Sequence, residues 1–288
     1  MVRTIEYGTA ISMLAATFAL VLPGGEYPVK SQVSSELPDI RQIVDSSIAT
    51  TQRHWKARIH YTYIERDESR HEDSNGRVKS QDVEDSRMIL VNGVPFEQLM
   101  ERNGKPLSVE EQRKQNEKLD ELKRETPEQH AERVRIREDE SASLVREIPK
   151  AFDFRLVGEE AVNGRPAYVL QATPHPRYQA QGKYGRLFSK VEGKLWIDKQ
   201  DLALIKIDGQ VIQPFSIGLF LVRLLRGSEI KMEQTRLGDG IWMPERVEVR
   251  AAAKIFFLKT LVIYRTMNYS DYNLPQSGGP GIRGPVIP

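Results

Sequence analysis

Val78-Lys-Ser-Gln-Asp-Val-Glu-Asp-Ser-Arg-Met-Ile-Leu-Val91-Asn92-Gly93-Val-Pro-Phe-Glu-Gln-Leu-Met-Glu101-Arg-Asn103-Gly104, with Asn75-Gly76 just ahead of it, decides the architecture. An Asn-Gly pair suits the two central positions of a tight hairpin turn, where both residues need positive φ. Three such pairs follow one another closely, separated by a strand from about Val78 to Val91 and a short piece around Phe96 to Glu101. Parallel strands need crossovers of a dozen residues or more, so turns this tight specify an antiparallel meander.

The pattern extends in both directions. Upstream, Trp55, Ala57, Ile59, Tyr61 and Tyr63 alternate with Lys56, Arg58, His60 and Thr62, the period of a half-buried strand. Before them, Leu37, Ile40, Val44 and Ile48 recur at the spacing of one helical face, with Pro38 in the first turn, where its missing N–H costs nothing. Downstream, Phe152, Phe154 and Leu156 alternate with Asp153 and Arg155, and Asn163-Gly164 turns the chain into Pro166 to Thr173. A loop rich in Pro and Tyr then runs to Gly185. Strands follow at about 187–197, 202–211, 229–237 and 241–251, and a last one at about Lys254 to Tyr269. The expected fold class is α+β: an open, strongly curved antiparallel sheet, a half-barrel, wrapped around a helix.

Two stretches depart from this pattern. From Glu101 to Lys150, 25 of 50 residues are charged, 12 basic and 13 acidic, which marks a solvated helical insertion. Ser108-x-x-Glu111 is a capping box, and Thr126-Pro127-x-Gln129 combines a cap with a proline at the first helical position. Helices are expected at about 108–124 and 127–147, touching the body along a thin apolar stripe or serving as a lid or docking arm. Phe215-Ser-Ile-Gly-Leu-Phe-Leu-Val-Arg-Leu-Leu225 is nearly all apolar but only 11 residues long, too short to span a bilayer as a helix. It reads as a buried element over the sheet or as a hydrophobic flap carrying Phe215, Leu219, Phe220 and Leu221. Ile255-Phe-Phe-Leu258 is apolar on both faces of its strand and needs cover on each.

The ends and the composition set the setting. Ala10 to Leu22 is an apolar run of 13 residues behind Arg3, the length of a signal-peptide core and short of a span. Residues 1–35 are therefore expected to be a signal peptide and short linker, 36–274 one β domain with the insertion 108–147, and 275–288 a Gly/Pro-rich disordered tail. The expected location is the periplasm; the alternative is an inner-membrane anchor formed by an uncleaved N-terminal segment. The chain has no cysteine, so it makes no disulfide, thiolate metal site or thiol nucleophile. A net charge of +2 with interspersed signs gives no case for nucleic acid. The five histidines stand in no metal-ligand spacing, and no nucleophile elbow, P-loop or dinucleotide fingerprint occurs. No catalytic residue, metal site or cofactor is expected, and the protein is read as not being an enzyme.

Met88 to Pro95, Asn103 to Glu111, Gly193-Lys-Leu-Trp-Ile-Asp198 and Asp239 to Val249 resemble phrases of the periplasmic outer-membrane lipoprotein-sorting (LolA-like) family over about residues 36–273. The resemblance implies an incomplete β-barrel over helices, with a lipid or an acylated lipoprotein as partner and transient membrane contact. A hydrophobic cavity would then be lined by Trp55, Ile59, Tyr61, Leu90, Phe154, Leu195, Ile197, Met232, Val247 and Val249. The alternative is an envelope regulatory or interaction protein, with a filled core and charged helices that dock a protein partner.

Overall fold

The computed structural model describes residues 39–274 except 92, 127, 130, 133–134, 136–146, 180–181, 218–221 and 256–258. Helix α1 (Ile40–Arg58) leads into strands β1 (Thr62–Asp73), β2 (Val78–Val91), β3 (Val94–Arg102) and β4 (Lys105–Pro106), then helix α2 (Val109–Arg124). Strands β5 (Phe152–Val162) and β6 (Arg165–Pro174), helix α3 (Gly182–Phe188), and strands β7 (Val191–Asp198) and β8 (Leu204–Val211) follow. The chain ends with β9 (Phe215–Ile217), β10 (Val222–Leu224), β11 (Glu229–Arg236), β12 (Trp242–Ile255) and β13 (Lys259–Asn273).

All pairings are antiparallel, and the order β4-β3-β2-β1-β13-β12-β11-β8-β7-β6-β5 leaves two free edges, so the sheet is open. Hairpins account for most neighbours. Turns with positive φ at Asn103, Gly104, Asn163 and Gly164 join β3 to β4 and β5 to β6. Two joins are long-range: β1 beside β13, with Glu65 opposite Tyr269, and β8 beside β11, with Ile207 opposite Met232.

α1 lies across the inner face. Asp39 caps it by accepting from Arg41 N at 2.9 Å, and Lys56 and Arg58 stand in its last turn, where cations favour the helix dipole. Ile43 and Val44 are buried against Leu170 and Ile197. Its other end is fixed by Arg58, buried and donating from Nε and Nη2 to Trp242 O at 3.0 and 2.9 Å, and from Nη2 to Gln234 Oε1. Beyond the helix the inner face is filled by its own side chains, with Ile207, Met232, Val247, Val249 and Met267 in one packed cluster.

The outer face carries a smaller core of Val169, Trp196, Ile205 and Trp242. Asp198, wholly buried, closes it: both its carboxylate oxygens take bonds from Arg165 at 2.7 and 2.8 Å, and Oδ1 also takes the N–H groups of Gln200 and Asp201.

Several expectations are corrected. The strand expected over Trp55 to Tyr63 is helical to Arg58, with Ile59 as C-cap, and β1 starts at Thr62. Ile48, Thr51, Trp55 and Arg58 continue the three-and-four spacing of the helix, so the period-two pattern was a coincidence of phase. Part of the Pro/Tyr-rich loop forms α3, which displaces the start of β7 to Val191. The stretch expected as one last strand is shared by the end of β12 and β13, and Phe256 to Leu258 between them lies outside the described residues. The apolar run from Phe215 is a hairpin of β9 and β10 rather than a single element.

The insertion starts as expected. Ser108 and Glu111 form the reciprocal capping box, and Leu122 is buried beside Val91 and Val94. Gln115 bonds Leu99 in both directions, at 2.8 and 3.2 Å, and fixes α2 along β3. Thr126 and Gln129 make the second reciprocal cap, while most of the second expected helix lies outside the described residues.

Asp198 is the wholly buried acceptor for Arg165 and for two backbone N–H groups, whereas Arg165 also reaches Asp201 at 3.3 Å. Asp198→Ala leaves the N–H groups of Gln200 and Asp201 without their acceptor and should lower the unfolding free energy by about 1–3 kcal/mol. Glu110→Ala, which breaks an exposed pair with Lys114, should leave the unfolding midpoint unchanged. Urea denaturation of the two variants checks the contrast.

Candidate functional site

Between α1 and strands β5–β8 the packing is incomplete. A cavity of about 80 Å³ lies there, bounded by Ile48, Phe152, Phe154, Leu170, Leu195 and Ile207, with Ser47 and Thr51 on the helix side. Its origin is a set of small residues. Gly193 and Gly209 face each other across β7 and β8 and form part of the lining. A Cβ on Gly193 would stand 2.5 Å from Asp208 O and 2.8 Å from Gly209 Cα, so the strands approach too closely there for any side chain. Opposite them the helix contributes Ser47 and Thr51 beside Val44 and Ile48. Neither wall fills the gap, and the lining that remains is almost wholly apolar.

The inner face changes character across β13 and β1. There Glu65 stands opposite Tyr269 and Ser86, and Asp67 takes Arg265 Nε on both oxygens at 2.9 and 2.8 Å. Burial pushes the Glu65 carboxyl up to about 8, and the nearby carboxylates of Glu97, Asp67 and Glu84 add to the shift against the pull of Arg265. The Tyr63 ring contacts those of Tyr269 and Tyr272, with centroids 5.9 and 5.4 Å apart. Burial raises all three phenols above their ordinary range. Near the end of α1, burial and the neighbouring Arg58 and Arg53 lower His54 to about 4, so it is neutral at physiological pH. Among the described residues, no group of three or more His, Asp or Glu side chains is placed to hold a metal ion. No helix there is long and apolar enough to cross a membrane.

The residues expected from sequence separate into four groups. Phe154, Leu195 and Ile197 border the cavity. Met232, Val247 and Val249 are packed in the adjoining cluster, each at 4% exposure or less, and present no free surface. Trp55 lies on α1 and Ile59 caps it. Tyr61 and Leu90 border a separate hollow with Ala57 and Ile241, where the Tyr61 hydroxyl donates to Asp239. Of the expected flap, Phe215 packs between two clusters of the inner face, and Leu219, Phe220 and Leu221 lie outside the described residues. Sequence reasoning missed Ser47, Thr51, Gly193, Gly209 and Glu65. A glycine inside each of two neighbouring strands was the available signal for the floor; a carboxylate in an alternating strand reads as surface.

No protein-family model and no curated protein matches the chain. Solved structures do. A DUF1329 family protein from Desulfovibrio piger aligns over 83% of this chain and 94% of its own, at 12% identity and a TM-score of 0.33. A LolA superfamily protein from Nitrosomonas europaea aligns over 82% and 93%, at 13% identity and 0.29. A domain from Vibrio parahaemolyticus, assigned as an outer membrane lipoprotein-sorting protein, aligns over 83% and 95%, at 10% identity and 0.30. Identity this low leaves function to be read from the chain's own residues.

Glu65 provides a test of the polar end. Its folded value, about 8, exceeds the ordinary carboxylate value of 4.5, so the folded state holds a proton that the unfolded state has lost between those limits. Its contribution to stability is therefore present at acid pH and is lost as pH rises through about 8. Glu65→Gln mimics the protonated group. The variant should melt like the parent near pH 4.5 and progressively higher than the parent as pH rises to 9, by thermal melts across that range.

Proposed function

We propose that this chain binds the acyl chain of a lipid or lipoprotein in the groove between α1 and β5–β8, as a carrier in the periplasm. The observation that carries the reading is the apolar cavity floored by Gly193 and Gly209 and roofed by Val44, Ser47, Ile48 and Thr51 of the helix. The apolar N-terminal run Ala10 to Leu22 supports export.

The free cavity is only a starting point for such a ligand. At about 80 Å³ it is smaller than the roughly 150 Å³ cavities that accept benzene. An acyl chain enters if α1 moves off the sheet. The helix is suited to that movement: Ser47, Thr50 and Thr51 on or beside its inner face contribute little apolar burial. Arg58 holds the far end. About 0.8 kcal/mol per buried CH₂, roughly 10 kcal/mol gross for a 16-carbon chain, is available to offset the displacement.

A second reading, an envelope interaction protein with a filled core, draws on the packed cluster around Met232 and Val247 and on the charged outer face of α2.

Native mass spectrometry and titration with a pyrene-labelled phosphatidylcholine separate the two. The carrier reading expects one lipid per chain. It also expects Thr51→Leu, which fills the cavity, to weaken binding at least about tenfold without lowering the melting temperature. A bare protein mass with no lipid uptake would move the assignment to the interaction protein.

A further inference from the structure

Ser47 is the anomaly of the cavity. It is 5% exposed and lies on the cavity wall, yet its hydroxyl makes no hydrogen bond among the described residues. Three other buried polar side chains are satisfied. Thr50 Oγ1 accepts from Arg53 at 2.9 Å, Ser228 Oγ bonds Leu225 O at 2.9 Å, and Gln234 donates to Leu204 O at 2.8 Å. Ser86 is the other buried hydroxyl without a partner, and it faces Glu65 far from the cavity. Within a helix a serine can bond the carbonyl four residues back; Ser47 does not. Thr51, one turn further along the same wall, is half-buried there as well. A hydroxyl with no protein partner on an otherwise apolar wall is free to donate to whatever fills the cavity.

The chemistry of that partner is constrained. The cavity has no Lys or Arg on its wall, and its one charged lining residue is Glu192, already accepting from Gln210 Nε2 at 2.7 Å. A free carboxylate would enter with no counter-charge and a like charge nearby. A bare hydrocarbon would leave the hydroxyl unbonded. We propose that the ligand carries a neutral carbonyl beside its apolar chain, as an acyl ester or amide does, and that Ser47 is the specificity-determining residue that donates to it. This rests on the acyl-chain reading above and adds the polar contact that sorts among apolar ligands.

The test uses the full chain loaded with N-phenyl-1-naphthylamine, a fluorescent apolar probe, displaced by either the methyl ester of a 12-carbon fatty acid or an alkane of matched length. The parent should bind the ester roughly fivefold to tenfold more tightly than the alkane. Ser47→Ala should erase that preference while leaving the alkane affinity unchanged, and Ser47→Thr, which keeps the hydroxyl, should restore it. Ser47→Ala should also melt no lower than the parent, because it removes an unbonded hydroxyl. Equal displacement by ester and alkane in the parent, or a preference that survives in Ser47→Ala, would overturn the assignment of Ser47 and leave the cavity reading standing. A lower melting temperature for Ser47→Ala would show that the hydroxyl is already satisfied in the free protein, and would equally overturn it. Failure of the probe and both ligands to bind would remove the acyl-chain reading, and this one with it.

Discussion

An antiparallel sheet that does not close on itself must cover its apolar inner face with something else, and here one helix carries that task. Ile43 and Val44 of α1 reach Leu170 and Ile197, and Arg58 ties the last turn to β11 and β12. Everything else about the inner face follows from how far a single helix reaches. At Ile43 the interface is closed; around Ser47, Ile48 and Thr51, over two opposed glycines, a cavity remains. Beyond its reach the sheet closes on its own side chains, as around Ile207, Met232 and Met267, or becomes polar.

The same constraint accounts for the polar end. On strands β1 and β13, Glu65, Asp67 and Arg265 occupy the inner surface. These groups still lie in a curve that removes much of their water, so the carboxyl of Glu65 is held far above its ordinary value. The molecule thus has an inner surface graded from hydrocarbon, between α1 and β5–β8, to ionisable side chains beside β13. Arg58 stands between the two regions, a buried cation satisfied by the Trp242 carbonyl and the Gln234 amide. Removing it would unpair both acceptors and loosen the end of the helix that the cavity does not touch.

Sequence made the meander legible because its turns are local. Asn103-Gly104 and Asn163-Gly164 take the positive φ values their residue types favour, and the strands they join are found within a few residues of their expected limits. The helix end was not legible, since Trp55, Ala57 and Ile59 satisfy a period of two while Ile48, Thr51 and Trp55 satisfy the helical one, and only packing decides between them. The joins β1–β13 and β8–β11 were equally out of reach, being set by long-range pairing that no local signal encodes. For the site, aliphatic alternation found Phe154, Leu195 and Ile197, but the same rule also selected Met232, Val247 and Val249, which differ only in having neighbours that fill the space above them.

A cavity is a property of what is missing, and the residues that make this one carry little individual signal. Gly193 is fixed by backbone contact, since a Cβ there would run into Asp208 O. Gly209 is less constrained: the tightest contact of its Cβ would be the Ile230 Cγ2 methyl at 3.2 Å, which a small shift relieves. A glycine in a strand interior costs stability, and so does a buried hydroxyl without a partner. The fold tolerates both on facing walls of the same gap, although of the two glycines only Gly209 leaves room for a Cβ. Destabilising choices that converge on one place are what a binding site requires and what a core optimised for packing would avoid. Close strand approach alone accounts for Gly193, so Gly209 and Ser47 are the two positions on which the proposed ligand site and a packing account part.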